Sequence, residues 1–328
     1  MEIFFEFFKN HWLAIAFLAP MFWALVNIID VYFVGGIYKD ELDGTIISGL
    51  FQIVPWSILF FIADFNLAGA FNSNNTLWLD GTLILSFIGG LLYTSSFYFY
   101  FKALFSKNDV SMLQVFWSLT IIAVPVLSFF IFGEVLPAFK YAGMAVVLLG
   151  ATVLSLNAKL RESFSGRYLK IMLGAVLFLS LSMILEERAY NLLGVSYGSQ
   201  GFWLGFFFFS LGAFTAGLLF ALFFKRSPWV LIRKYYKIFL LGEGIYFLGN
   251  LFSQRALDIA PSASYVAAVE TFIPVFVLAY SLLILFFFSY ILKKKNEAVE
   301  RIYSEQIGGI WIKVLATIIM AIGVYIIS

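Results

Sequence analysis

Residues 12–33 read WLAIAFLAPMFWALVNIIDVYF, a run whose one charged side chain is Asp30. A helix rises about 1.5 Å per residue, so a hydrocarbon core about 30 Å thick needs roughly 20 apolar residues to cross it. This run is long enough. It is too long for the apolar core of a signal peptide and is preceded by acidic Glu2 and Glu6 instead of a basic region, so it predicts a first membrane span. Reading outward by the same criterion predicts ten spans, at 12–36, 44–64, 79–102, 111–132, 138–157, 169–187, 201–224, 237–256, 262–291 and 310–327.

The composition agrees. Hydrophobic residues make up 62% of the chain and charged residues 12%, whereas soluble domains average about 45–50% and about 25%. The bilayer is the solvent that accepts the excess. With 21 basic and 19 acidic residues the net charge is +2, which points to no nucleic-acid partner. There is no Cys and a single His, His11, so disulfides, thiolate chemistry and Cys or His metal clusters are excluded, and neither metal nor cofactor is expected. No His-Glu-x-x-His, Gly-rich phosphate loop or Gly-x-Ser-x-Gly is present, so an enzyme is not expected.

Of the 21 basic residues, 17 fall at connections 1–2, 3–4, 5–6, 7–8 and 9–10, and only Lys9, Lys140, Arg188 and Arg255 fall on the other side. Basic flanks stay in the cytoplasm, which places both termini outside. The connection over 66–79 carries no basic residue and holds the glycosylation sequon Asn74-Asn75-Thr76. Nothing else points to a eukaryotic source, and a prokaryotic cytoplasmic membrane is the expected location. The segment 296–306 places Val299, Ile302 and Tyr303 on one helical face beside three lysines, as in a surface-lying helix or a solvated loop.

The chain also repeats itself. Lys102-Ala103-Leu104, six residues and Ser111 are matched by Arg255-Ala256-Leu257, six residues and Ser264. Gly143, Gly150 and Ser155 keep the spacing of Ala316, Gly323 and Ser328, and Leu25 to Asp30 parallels Leu181 to Glu186. Small residues so spaced let helices approach closely in lipid. A repeat of five spans is odd, so the second copy must be inverted, with one repeat over 1–160 and the other over 161–328. The fold class predicted is therefore all-α integral membrane, ten transmembrane helices in two inverted five-helix repeats, with substrate bound near the midplane between them.

Trp23-Ala24-Leu25-x-Asn27-x-Ile29-Asp30, Lys102-Ala103-Leu104, Gly133-Glu134 and Gly143/Gly150 together resemble the drug/metabolite transporter superfamily, in its ten-helix EamA-like branch. The resemblance implies a 5+5 inverted repeat and transport of small polar or amphipathic metabolites, amino acids among them. The second half departs from the pattern, reading Phe287-Phe288-Ser289-Tyr290 where a Gly-Glu would close span nine. Two other readings stay open: a lipid-handling flippase or membrane enzyme, and a transport-inactive membrane protein.

A charge in mid-membrane costs about 2.5–3.5 kcal/mol on insertion scales, so each one marks a candidate site. Glu270 lies eight residues into span nine, four before Pro274, and is the first candidate for binding substrate or protons. Glu243, Tyr246 and Asn250 share one face of span eight, with Gln254 beyond; the plainer reading is that they satisfy one another inside the bundle. Trp117, beside Gln114 and Ser118, occupies the position that Glu270 holds in the second repeat, although a tryptophan within a span is more often packing. Tyr93, Ser96 and Tyr100 of span three are candidates for the same cavity. Asp30 and Glu186 lie nearer their span ends, where water is expected to reach them as gate groups or anchors. Lys102 and Arg255 are either partners for carboxylates or flanks whose charged heads extend to the interface. The partners expected are thus a small-molecule substrate and membrane lipid.

Overall fold

A computed structural model describes residues 11–62, 81–107, 117–155, 166–287 and 310–328. Among the described residues the chain is helical, without strands. The helices are α1 (Trp12–Gly36), α2 (Glu41–Phe51), α3 (Trp56–Ile62), α4 (Gly81–Lys107), α5 (Thr120–Phe132), α6 (Ala138–Ser155), α7 (Gly166–Tyr197), α8 (Ser199–Phe223), α9 (Trp229–Ile259), α10 (Ala263–Glu270), α11 (Ile273–Phe286) and α12 (Ile310–Ile327). Seven helical stretches among the described residues are long and apolar enough to cross a membrane: Trp12–Gly36, Glu41–Leu59, Gly81–Ser106, Tyr168–Tyr197, Gln200–Phe223, Ala263–Ile284 and Ile310–Ile327. The outer surface is itself apolar, with Phe130, Val195, Phe223, Trp311 and Tyr325 each at least three-quarters exposed. A surface of that kind belongs in lipid.

Helix α4 packs along both α7 and α8, α1 along α9, α2 along α8, and α6 along α12. Lipid gives no hydrophobic drive between helices, so small residues in the seams decide which surfaces close up. A Cβ placed on Gly90 of α4 would lie 1.9 Å from the carbonyl oxygen of Phe209 in α8, and one on Gly212 would lie 2.0 Å from that of Phe87. In the α6–α12 seam, a Cβ on Gly150 would lie 2.8 Å from the Ala316 oxygen and one on Gly323 2.8 Å from the Gly143 oxygen. The small residues read as a repeat thus pack against each other.

One predicted span is interrupted in its middle. Helix α10 ends at Glu270, Thr271 and Phe272 form a turn, and α11 starts at Ile273 with Pro274 in its first turn. Ser118 and Leu119 form the same turn before α5, one residue after Trp117. The stretch predicted over 44–64 is also divided, at residues 52–55 between α2 and α3. The helix predicted over 169–187 runs on to Tyr197. Helix α5 closes on Gly133, whose φ of 71° lies in the left-handed region that suits glycine at a helix end. The 66–79 connection with its sequon, the basic residues Lys159 and Arg161, residues 288–290 and the 296–306 segment lie outside the described residues.

Candidate functional site

A cavity with about 830 Å³ of empty space, counted out to its mouth, opens between these helices. Helix α1 contributes Trp23, Val26, Asn27 and Asp30, and α4 contributes Tyr93, Phe97 and Tyr100. Trp117, Ser118 and Thr120 enter from the turn before α5, and Leu179, Ser182 and Met183 from α7. Ser253 and Gln254 of α9 and the interruption from Glu270 to Pro274 complete the wall. Its apolar lining with a few convergent polar groups is that of a small-molecule site.

Two carboxylates face the cavity, each held by one hydroxyl. The Tyr100 hydroxyl donates to Asp30 Oδ2 at 3.0 Å and lies 3.1 Å from Asn27 Oδ1. The Ser253 hydroxyl donates to Glu270 Oε1. Glu270 reaches the cavity because α10 stops there: Pro274 has no N–H to bond the Glu270 carbonyl, so the helix cannot continue through it. Ring contacts fix the aromatic wall, Tyr100 lying edge-on to Trp117 with centroids 5.6 Å apart and Phe97 edge-on to Tyr93 at 5.0 Å.

Behind this wall runs a second polar layer. The Tyr93 hydroxyl donates to Asn250 Oδ1, and Asn250 Nδ2 donates to Gln52 Oε1 at 2.8 Å. Glu243 accepts from Ser48 at 3.2 Å, and its other oxygen, buried, has no partner among the described residues. Tyr246 packs edge-on against Trp23 and Phe97, both at 5.2 Å.

The structure therefore gathers Glu270, Trp117, Tyr93 and Asp30 at the cavity and sets Glu243, Tyr246 and Asn250 one layer behind. Ser96 is buried and bonds back to the Tyr93 carbonyl, away from the cavity. Gln114 lies outside the described residues. Asp30 and Glu186, expected to meet water, are 6% and 0% exposed. For Glu186 the cause is the length of α7: eleven further residues follow it, and its carboxylate is packed against Gly89 of α4 instead of ending a span. Lys102 and Arg255 do not line the cavity. Lys102 donates to the Tyr98 hydroxyl and lies over its ring, and Arg255 pairs with Asp258 and lies over Phe202. Ser253, Ser48 and Gln52 escaped notice in the sequence, although Ser253 continues the Tyr246–Asn250 face and Ser48 and Gln52 stand four apart in an apolar run.

Apolar spans, a lipid-compatible exterior and an interior cavity with a few polar groups on an apolar wall define an all-α integral membrane protein. No family model and no curated protein matches the chain. A solved structure described only as "Crystal structure of protein" is similar over 96% of each chain, with 16% identity and a TM-score of 0.58. At that identity the likeness speaks for the fold alone.

Proposed function

We propose that this chain is a secondary carrier of small metabolites, built as an inverted repeat of five spans over 1–160 and 161–328 and working by alternating access around the cavity. The observation that carries the reading is the matching register of the cavity wall in the two halves. Aligning Lys102 with Arg255 pairs Trp117 with Glu270, Ser118 with Thr271 and Thr120 with Ile273, all of them cavity residues. It also pairs Tyr100 with Ser253, the two hydroxyl donors to cavity carboxylates. Aligning Asp30 with Glu186 pairs Trp23 with Leu179, Val26 with Ser182 and Asn27 with Met183, again all on the wall. Most of the helix packing follows the same symmetry: exchanging the halves turns the α1–α9 contact into α7–α4 and the contacts of α1 with α10 and α11 into α7–α5, while α2–α8 and α6–α12 map onto themselves; the close α4–α8 seam departs from it, its image α9–α2 being slight.

The proposed topology has both termini outside. The alternation of sides it requires is supported by contacts between predicted same-side segments: Asp40 after α1 pairs with Arg226 after α8, and Lys140 at the start of α6 bonds the Ile327 carbonyl at the end of α12; the choice of the outside for the termini rests on the distribution of basic residues. The EamA-like assignment rests on the motifs, with Trp23, Asn27 and Asp30 at the cavity and Gly133 capping α5. An ion gradient is the energy source consistent with a chain that has no nucleotide loop, and Glu270 is the proposed proton carrier. Counterflow of labelled metabolites in proteoliposomes tests the carrier reading. Exchange is expected; a broad panel with no exchange refutes it, and lipid retained through purification would then favour a lipid-handling protein. Glu270→Gln should keep exchange and lose gradient-driven uptake, and wild-type uptake with wild-type pH dependence would remove Glu270 from that role.

A further inference from the structure

We infer that the cavity selects an organic cation, an amine or quaternary ammonium on an apolar body. The inference rests on the proposed reading of the cavity as the ligand site and narrows its ligand class. The charged groups on the wall are Asp30 and Glu270, and no Lys, Arg or His joins them among the described residues. Both carboxylates are more than nine-tenths buried, and each uses one oxygen to accept from its neighbouring hydroxyl. The second oxygen of each has no hydrogen bond among the described residues and remains for a ligand.

The nearby cations are turned elsewhere. Lys102 is engaged by Tyr98 and Arg255 by Asp258 and Phe202, so neither neutralises a cavity carboxylate. The remaining wall carries Trp23, Tyr93, Phe97, Tyr100 and Trp117. Aromatic faces attract a cation through their quadrupoles, and rings around a carboxylate are the usual receptor for an ammonium group. An anion finds the reverse. Two helices start at the cavity, α5 at Thr120 and α11 at Ile273, and α11 has Pro274 in its first turn and so lacks one of the N–H groups that bind anions at helix N-termini. Like charge in a desolvated pocket excludes such a ligand more strongly than a poor fit does. A zwitterion brings one favoured and one disfavoured group.

The test compares three solutes of similar shape on the purified full chain in detergent by calorimetry: phenethyltrimethylammonium, 3-phenylpropionate and phenylalanine. Saturable binding of the cation alone is expected. Asp30→Asn and Glu270→Gln keep the acceptors for Tyr100 and Ser253 yet should each weaken it about ten- to hundredfold, the range of a lost charged contact. Asp40→Asn, at an exposed ion pair remote from the cavity, should leave Kd unchanged. If a carboxylate variant unfolds in the thermal scan, the comparison of solutes on the wild-type chain decides. Binding of the anion or zwitterion as tightly as the cation overturns the inference, as does cation binding that neither variant weakens or no cation binding at all. Counterflow separates the two proposals: a bound cation that is not exchanged refutes the carrier and leaves this inference standing. Exchange of an anionic solute without competition from the cation does the opposite.

Discussion

Replacing Gly90 by alanine puts a methyl carbon 1.9 Å from the Phe209 carbonyl oxygen and 2.8 Å from the Ala213 nitrogen, both backbone atoms of α8. Ordinary contact begins at 3.4 Å, so α4 and α8 must part locally by about 1.5 Å, with no side-chain rotamer to absorb the strain. Overpacking costs about 1–3 kcal/mol, and backbone against backbone belongs at the upper end. Gly244 of α9 has nothing within 4 Å of the same added carbon, and alanine there should gain about 0.5–1 kcal/mol by restricting the unfolded chain. The same substitution should therefore differ by roughly 3–4 kcal/mol between two helices of one fold. Because α4 carries Tyr93, Phe97 and Tyr100 on the cavity wall, Gly90→Ala should weaken ligand binding as well. Gly150→Ala, crowded by Met320 at 2.5 Å in the α6–α12 seam, should lower stability and leave binding alone. Thermal unfolding in one detergent, with ligand titration of the folded fraction, measures both effects. Equal stability of the Gly90→Ala and Gly244→Ala chains would refute the packing of α4 on α8.

Tyr93→Phe keeps the ring contacts with Phe97 and Phe209 but strips the donor from Asn250, a residue 1% exposed; a loss of about 1–3 kcal/mol in thermal unfolding is expected, and an unchanged midpoint would mean that the hydroxyl is not bonded. Glu270→Ala leaves the buried Ser253 hydroxyl without its acceptor and should be less stable than Glu270→Gln by about 1–3 kcal/mol; equal unfolding midpoints would contradict that bond. A Cys placed at Ser163, in a chain that has none, should resist an impermeant thiol reagent from outside, and ready labelling would reverse the topology. The exposed Arg226–Asp40 pair should contribute less than about 1 kcal/mol and fade with salt, so a large cost for Asp40→Asn at high salt would show that the pair does more than bridge two connections.

Where the bilayer dictates the answer, the sequence is readable. Length without charge is what a membrane demands, and every stretch singled out on that basis contains helix among the described residues. Glu270 was equally legible, because a carboxylate four residues before a proline announces both a buried charge and an interrupted helix. Helix ends were not. Glu186, Glu187 and Arg188 look like the polar exit of a span, yet α7 continues to Tyr197 because protein packing as well as water can accommodate those groups. The partners of buried groups were hidden for another reason. Gln52 and Asn250 meet across 198 positions of sequence, and no periodicity within either helix carries that distance.

The interruption at Glu270 bears on how cheaply the molecule can bend. Tilting one part of a continuous helix in hydrocarbon would break rungs of its hydrogen-bond ladder, each costing several kcal/mol where no water can replace it. At Pro274 the rung to the Glu270 carbonyl is absent from the start. Thr271 and Phe272 already sit in the turn, with Phe272 bonded to Val269 and Val275 to Phe272, so α10 and α11 can change their mutual angle through two residues while each keeps its own ladder whole. A turn of the same kind stands at Ser118 and Leu119 ahead of α5, where Ile121 bonds to Ser118 and Ile122 to Leu119. The resistance to bending at the α10–α11 joint is therefore set by side-chain packing, and under the proposed alternating access, mutations that loosen ring contacts on the cavity wall such as Tyr100 with Trp117 should alter opening rates without weakening α10 or α11.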